Sequence, residues 1–149
     1  MNMLNLENGF TCRSYDSDML ENFPNNFFVT HHNIRSFNLH FDEFYSIFSE
    51  TSINIDIAVF SETWFTKYSC SPLLGYDAYH TIRTYKKCGG ISTYIKSAYK
   101  SRKLNHCSGI FNSFEACTVE LNISSNFCIT VVGIYRPPSG SISVFFRRI

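Results

Sequence analysis

Several signatures that would point directly to a function are missing from this chain. Its six cysteines, Cys12, Cys70, Cys88, Cys107, Cys117 and Cys128, never fall in CxxC spacing, which excludes a zinc ribbon and a dithiol redox motif. No apolar run approaches the roughly 18 residues that cross a bilayer. The start lacks a basic stretch followed by an apolar core, so no secretory signal is expected. An intracellular chain, nuclear or cytoplasmic, with reduced thiols is the reading that follows. The sequon Asn122-Ile123-Ser124 is then coincidental. Charge of one sign is also missing: 13 Lys+Arg stand against 12 Asp+Glu, a formal +1. That argues against a strongly basic, non-specific nucleic-acid binder, although a local groove can still be positive. Internal repeats and low-complexity tracts are absent, and aspartate ends early, at Asp77.

What is present is enough for one globular unit. The 149 residues are 44% hydrophobic, long enough to bury a core. Aromatics are heavy, with 15 Phe and 9 Tyr, and such rings are expected mostly as packing. Basic residues cluster as "YKK" (85–87), "KSRK" (100–103) and "RR" (147–148), each readable as solvated surface.

Residues 1–26 are polar and asparagine-rich, broken by "NGF", "DSD" and "FPNN"; they read as a flexible leader with at most a weak turn of helix. A domain over 27–149 follows. "FFVTHH" (27–32) reads as a buried strand. Phe37, Phe41, Phe44 and Phe48 then fall on one face of a 3.6-period helix, with Ser36 or Asn38 as N-cap. "NIDIAVFSE" (54–62) reads as a second buried strand, so the three make a βαβ unit with parallel pairing. "GYDAYH" enters a further strand, and "GGISTYIK" (89–96) is another. "FEACTVELNI" and "FCITVVGIY" form a hairpin, the first arm half-exposed by its alternation and the second apolar enough for a central strand. The fold class is mixed α and β.

In open α/β sheets, ligands bind beyond the carboxyl ends of strands. Three polar residues stand at such ends: Asn33, Glu62 and Tyr135. A carboxylate is a hard oxygen ligand suited to Mg²⁺ or Mn²⁺. An amide can ligate through oxygen or donate to phosphate, a tyrosine hydroxyl can donate to phosphate, and Arg136 can neutralise it. Each of these is also an ordinary strand-end residue, and the antiparallel hairpin leaves open whether Tyr135 shares a rim with the other two. His31 and His32 alternate across a strand and so cannot serve one metal from one face. His32 borders Asn33, yet a packing role is the simpler reading; His80 and His106 lack partners at metal-ligand spacing.

The segments "HHNIRSF", "DIAVFSETW", "GYDAYHTIRTYKKCGGISTYIK" and "VVGIYRPPSG" occur in the order and approximate spacing of one family. From about Phe27 onward the chain resembles the endonuclease/exonuclease/phosphatase superfamily, in particular the apurinic-type endonuclease domain of non-LTR retrotransposons. The resemblance implies a four-layered α/β sandwich and Mg²⁺-dependent hydrolysis of phosphodiesters, usually in DNA. It assigns Asn33 to the metal and phosphate, Glu62 to the metal, Tyr135 to the scissile phosphate and Arg136 to its flank. Asp56 is structural by the same comparison, and Gly89 and Gly90 form a turn with a backbone role.

The family's later motifs, an Asp-x-Asn that orients the attacking water and a terminal Asp-His pair, have no counterpart in these 149 residues. A general base alone is worth about 10²–10⁴ in rate, so the expectation is half a site with little or no hydrolysis. The alternative is a non-catalytic remnant acting as a binding or interaction module. A third reading is an unrelated aromatic-rich interaction domain. Loss of later strands is also expected to leave a sheet edge open to self-association.

Overall fold

A computed structural model of the chain describes residues 3–5, 11–13, 27–50, 55–85, 88–140 and 143. The chain order is β1 (Met3–Asn5), β2 (Thr11–Arg13), β3 (Val29–Asn33), α1 (Phe37–Glu50), β4 (Ile57–Ser61), β5 (Tyr76–Thr81) and β6 (Ile91–Lys96). β7 (Lys100–Lys103), a 3₁₀ turn (Asn105–Cys107), β8 (Gly109–Ile110), β9 (Glu115–Ser124) and β10 (Phe127–Tyr135) follow. β1 and β2 pair antiparallel. The turn of helix expected within 1–26 lies outside the described residues.

Two four-stranded sheets form the body, one ordered β3-β4-β6-β5 and the other β10-β9-β7 with β8 also on β9. β3 and β4 are parallel, so Asn33 lies opposite Ser61 and both strands end on the same rim. The expected βαβ unit is therefore present. β6 runs antiparallel to β4 and β5, and β9 antiparallel to β10. β9 and β10 lie against β4, β5 and β6, so the second sheet stacks on the first.

The period of two along β4 sorts its side chains between two cores. Ala58 and Phe60 join Phe37, Phe44, Phe65, Leu73 and Tyr94 under α1. Ile57 and Val59 join Ile91, Ile95, Cys117, Val119 and Leu121 between the sheets. Layers of helix, sheet and sheet result. Phe37 is the hinge of the aromatic core: its ring centroid lies 4.9 Å from Phe60, 5.2 Å from Phe65 and 5.5 Å from Tyr94.

Two expectations about burial are corrected. Among the described residues β3 is an edge strand with β4 as its sheet neighbour, and Val29, His31, His32 and Asn33 are exposed. β10, read as central from its apolar content, is an edge among the described residues as well, while β9 is flanked on both sides and carries a continuous buried run. Apolar content marks a strand with hydrophobic residues on both faces; it does not say how many neighbours the strand has.

Of the two N-cap candidates, Ser36 is the one that directly precedes α1, its carbonyl accepting from the His40 N–H at 3.3 Å. Asn38 lies inside α1, where its amide donates to Ser69 O at 3.0 Å and accepts from Ser71 Oγ at 2.6 Å. It ties the helix to the 66–71 loop. Asp56, read as structural, accepts from the Phe28 N–H at 2.9 Å and the Tyr99 hydroxyl at 2.7 Å. No helix among the described residues is long and apolar enough to cross a membrane.

Candidate phosphate and metal site

The site grows out of the parallel rim. Beyond β3 and β4 the chain enters two loops that are bonded directly to each other. Ile34 N–H donates to Ser61 O at 3.0 Å, Ser36 N–H to Glu62 O at 2.8 Å and Phe37 N–H to Thr63 O at 3.0 Å. The Gly89-Gly90 turn closes the third side, its carbonyls accepting from Trp64 N–H at 3.0 Å and Thr63 N–H at 3.3 Å.

These loops are strained. Arg35 (φ 45), Ser36 (φ 83), Glu62 (φ 57) and Trp64 (φ 55) are the non-glycine residues with positive φ among those described, and all four stand here. Such conformations cost about 1–3 kcal/mol each and persist where surrounding structure enforces them, commonly at functional sites. The bonds between the loops supply that enforcement.

At the centre, Glu62 is partly buried and accepts three hydrogen bonds. Trp64 Nε1 donates at 2.7 Å, the Tyr135 hydroxyl donates to the other carboxylate oxygen, and the Gly89 N–H also donates. Burial alone raises the carboxyl pKa, but these bonds and the Arg35 charge outweigh it and hold the group below its ordinary value. Glu62 is therefore ionised at neutral pH. Burial raises the Tyr135 hydroxyl, and its bond to the Glu62 carboxylate adds to the effect, so its pKa is pushed up to about 12. Tyr135 thus remains a neutral donor.

Gly133 explains how a residue of the second sheet reaches the rim of the first. A Cβ at that position would lie 2.9 Å from Val59 Cγ1 and 3.1 Å from Ile91 Cγ2. Lacking one, β10 lies close on β4 and β6. Tyr135, two residues further along and on the same face, then meets Glu62. The question left open by the antiparallel hairpin is answered: Glu62 and Tyr135, 73 positions apart, share one rim.

Asn33 ends β3 beside Ser61, exposed on the same rim. Arg136 does not point into the site. Its Nη1 donates to Gly140 O at 2.9 Å and Pro137 O at 3.3 Å, bracing its own turn. The cations whose charge reaches the pair are Arg35, acting on Glu62, and Arg83, acting on Tyr135. Arg83 pairs with the fully buried Glu115, whose other oxygen accepts from the Gly90 N–H at 2.5 Å. Sequence reasoning missed Arg35, Trp64, Arg83 and Glu115, although the first three lie inside the motif segments it used.

His31 and His32 diverge as expected from alternation. His31 bonds Ser61 Oγ at 3.3 Å, while His32 stacks on Phe60 with centroids 5.9 Å apart and bonds Thr30 at 2.9 Å. His32 is exposed along one side, but its ring leans on Phe44 and Phe60, and this partial burial, followed by the neighbouring His31, lowers its pKa. His80 is half-buried against Phe65 and Tyr94, and burial followed by the Lys103 charge brings its pKa down to about 4.

Among the described residues, no three His, Cys, Asp or Glu side chains gather as metal ligands. The donor set at the rim is one ionised carboxylate and one amide, both hard oxygen donors. It fits a cation such as Mg²⁺, which keeps several waters and takes one or two protein carboxylates. Glu62 has lone-pair capacity for this beyond the three donors it already accepts. No protein-family model matches the chain, and neither does any curated protein.

Proposed function

We propose that this chain carries the metal- and phosphate-binding half of a Mg²⁺-dependent phosphodiesterase site. The reading is of the endonuclease/exonuclease/phosphatase type, in the branch of retrotransposon apurinic-type endonucleases. Its helix, sheet and sheet layers are taken as part of a four-layered sandwich. The observation that carries the proposal is the Tyr135–Glu62 contact between two sheets, set in loops held in strained conformations.

A bound Mg²⁺ (or Mn²⁺) supplies Lewis-acid neutralisation of phosphoryl charge. Glu62 presents a carboxylate kept ionised by three donors. Asn33 offers its amide oxygen to the cation or its amide N–H to a phosphate oxygen. Tyr135, neutral with a pKa of about 12, can turn its hydroxyl from Glu62 to a non-bridging oxygen of a DNA backbone phosphate. Arg35 and Arg83 add positive potential, the role first assigned to Arg136.

A general base is not evident among these groups. Asp77, the last aspartate, sits on β5 and accepts from Ser97 Oγ at 2.9 Å. The second reading, a binding module that holds phosphate without cleaving it, is favoured by that observation. For the 149 residues alone we therefore assign binding, with hydrolysis weak or nil.

The test combines two readouts. Mg²⁺ titrated into the protein should change the fluorescence of its single tryptophan, because Trp64 Nε1 donates to Glu62. Glu62→Ala should abolish that response. Nicking of supercoiled plasmid in Mg²⁺ or Mn²⁺ should be slow or absent and, where seen, lost in Glu62→Ala. Cleavage that survives this substitution, or a tryptophan indifferent to both cations, sinks the proposal.

A further inference from the structure

We propose that the groove between the 64–68 loop and the 82–85 segment is a stacking site for an unpaired nucleobase of the strand whose phosphate Tyr135 holds. This deepens the phosphodiesterase reading and rests on it for the phosphate.

The groove has a volume of about 590 Å³, and Trp64, Lys67, Tyr68, Ile82, Arg83 and Tyr85 are among the residues lining it. Three of the five exposed aromatic residues described stand here: Trp64 at 40% exposure, Tyr68 at 85% and Tyr85 at 67%. Exposed rings gathered on one concave surface mark a binding site more than scattered ones do. Among the described residues the charged ones that line the groove are cations, Lys67 and Arg83. The Lys67 ammonium lies 4.7 Å from the Tyr68 ring centroid, and the Arg83 guanidinium 5.9 Å from that of Tyr85. Aromatic faces alternating with cations along a cleft is the arrangement that accepts stacked bases and their backbone, whatever the base.

The platform is preorganised. Thr66 Oγ1 and Ser69 Oγ are 2.8 Å apart, the Tyr68 N–H donates to Thr66 Oγ1 at 3.3 Å, and Asn38 of α1 holds Ser69 O. On the other wall, Arg83 is fixed by Glu115, while its Nε is buried without a partner. Trp64 is shared with the phosphate site: it lines the groove while its Nε1 is bonded to Glu62. In a duplex each base face is covered by its stacked neighbours, whereas an unpaired base presents a free face to such rings.

The experiment uses the full chain without added metal and follows Trp64 fluorescence. Oligothymidylate should quench it and bind at least about 5-fold more tightly than a duplex of equal length. Tyr68→Ala combined with Tyr85→Ala, both solvent-exposed and outside the phosphate site, should weaken that binding at least about 5-fold. The same double variant should retain the Mg²⁺ response at Glu62. Oligouridylate in a parallel titration tells a DNA ligand from an RNA one, since the stacking chemistry is common to both. Equal affinity for duplex and single strand, or undiminished binding by the double variant, overturns the inference. Binding of an aromatic-rich peptide with no response to any oligonucleotide reassigns the groove to a protein partner and overturns it too. Quenching without any Mg²⁺ response keeps the stacking groove and removes the phosphodiesterase reading, so the two fail separately.

Discussion

Glu115→Gln is a sharp test of how the rim is held. The Glu115 side chain has no exposure and that of Arg83 has 11%. The substitution preserves shape and an acceptor for the Gly90 N–H, but it leaves the guanidinium buried beside a neutral partner. Breaking a buried pair by removing one charge costs about 3–5 kcal/mol. Against a total stability of about 5–15 kcal/mol, that is a third or more for a marginal domain. With a urea m-value of about 2 kcal/mol per molar, the midpoint should fall by about 2 M. Adding Arg83→Met removes the stranded charge, so the double variant should recover a large part of the loss. A double-mutant cycle should then show a coupling of about 2 kcal/mol or more. Equilibrium unfolding followed by circular dichroism measures all four proteins. A midpoint shift below about 0.5 M for Glu115→Gln, or additive single and double variants, refutes the assignment of this pair as the anchor of the Gly89-Gly90 turn.

Other outcomes follow from single contacts. Gly133→Val should destabilise the fold by about 1–3 kcal/mol by overpacking against Val59 and Ile91, and should erase the Mg²⁺ response of Trp64 by lifting Tyr135 from Glu62. An unchanged melting temperature contradicts the close approach of β10. His80, with its pKa brought from an ordinary 6.5 down to about 4 by burial and the Lys103 charge, takes up a proton more readily when unfolded. Stability from this group is therefore full above about pH 6.5 and is lost as pH falls toward 4. His80→Gln should flatten the pH dependence of the urea midpoint in that window, and an identical slope in both proteins counts against it. Asp56→Asn weakens the acceptor for Phe28 N–H and Tyr99 OH, and should cost about 1–3 kcal/mol in thermal unfolding. On the outer face of the second sheet, Leu104, Phe111, Phe114, Val132 and Ile134 line an open cavity of about 650 Å³, with Val132 half exposed. A dimer that used this face would dissociate in Val132→Lys, which sedimentation of the two proteins measures. Equal association of the two proteins removes the face from consideration.

The legible parts of the fold were those with a clear period. The Phe37, Phe41, Phe44 spacing marks α1, and the apolar run of β4 marks a strand buried on both faces. Edge and centre were not legible, because β3 and β10 are apolar enough to be central and only pairing partners decide the matter. In the site, Glu62 and Tyr135 could be marked as strand ends, but their meeting depends on Gly133 and a sheet-to-sheet approach that no local pattern encodes. Arg136 follows Tyr135 directly in the sequence, which does not by itself bring the two side chains together. On extended backbone, neighbouring side chains diverge, and this one braces the turn after β10. Trp64, Arg35 and Arg83 act through loop conformations and ring orientation, which appear only once three loops are assembled.

The left-handed residues of the rim have a consequence for how its sequence can change. Glycine would adopt these backbone angles at little cost, and asparagine at less cost than a bulkier side chain. Arginine, serine, glutamate and tryptophan occupy them instead. Replacing any of the four by glycine would relax the loop and, for folding alone, improve it. It would also delete a side chain: the carboxylate, the indole that holds it, or the guanidinium whose charge keeps it ionised. Selection for thermal stability alone should therefore drift toward glycine at Arg35, Glu62 and Trp64, and the variants that gain stability there should be those that lose the proposed cation binding.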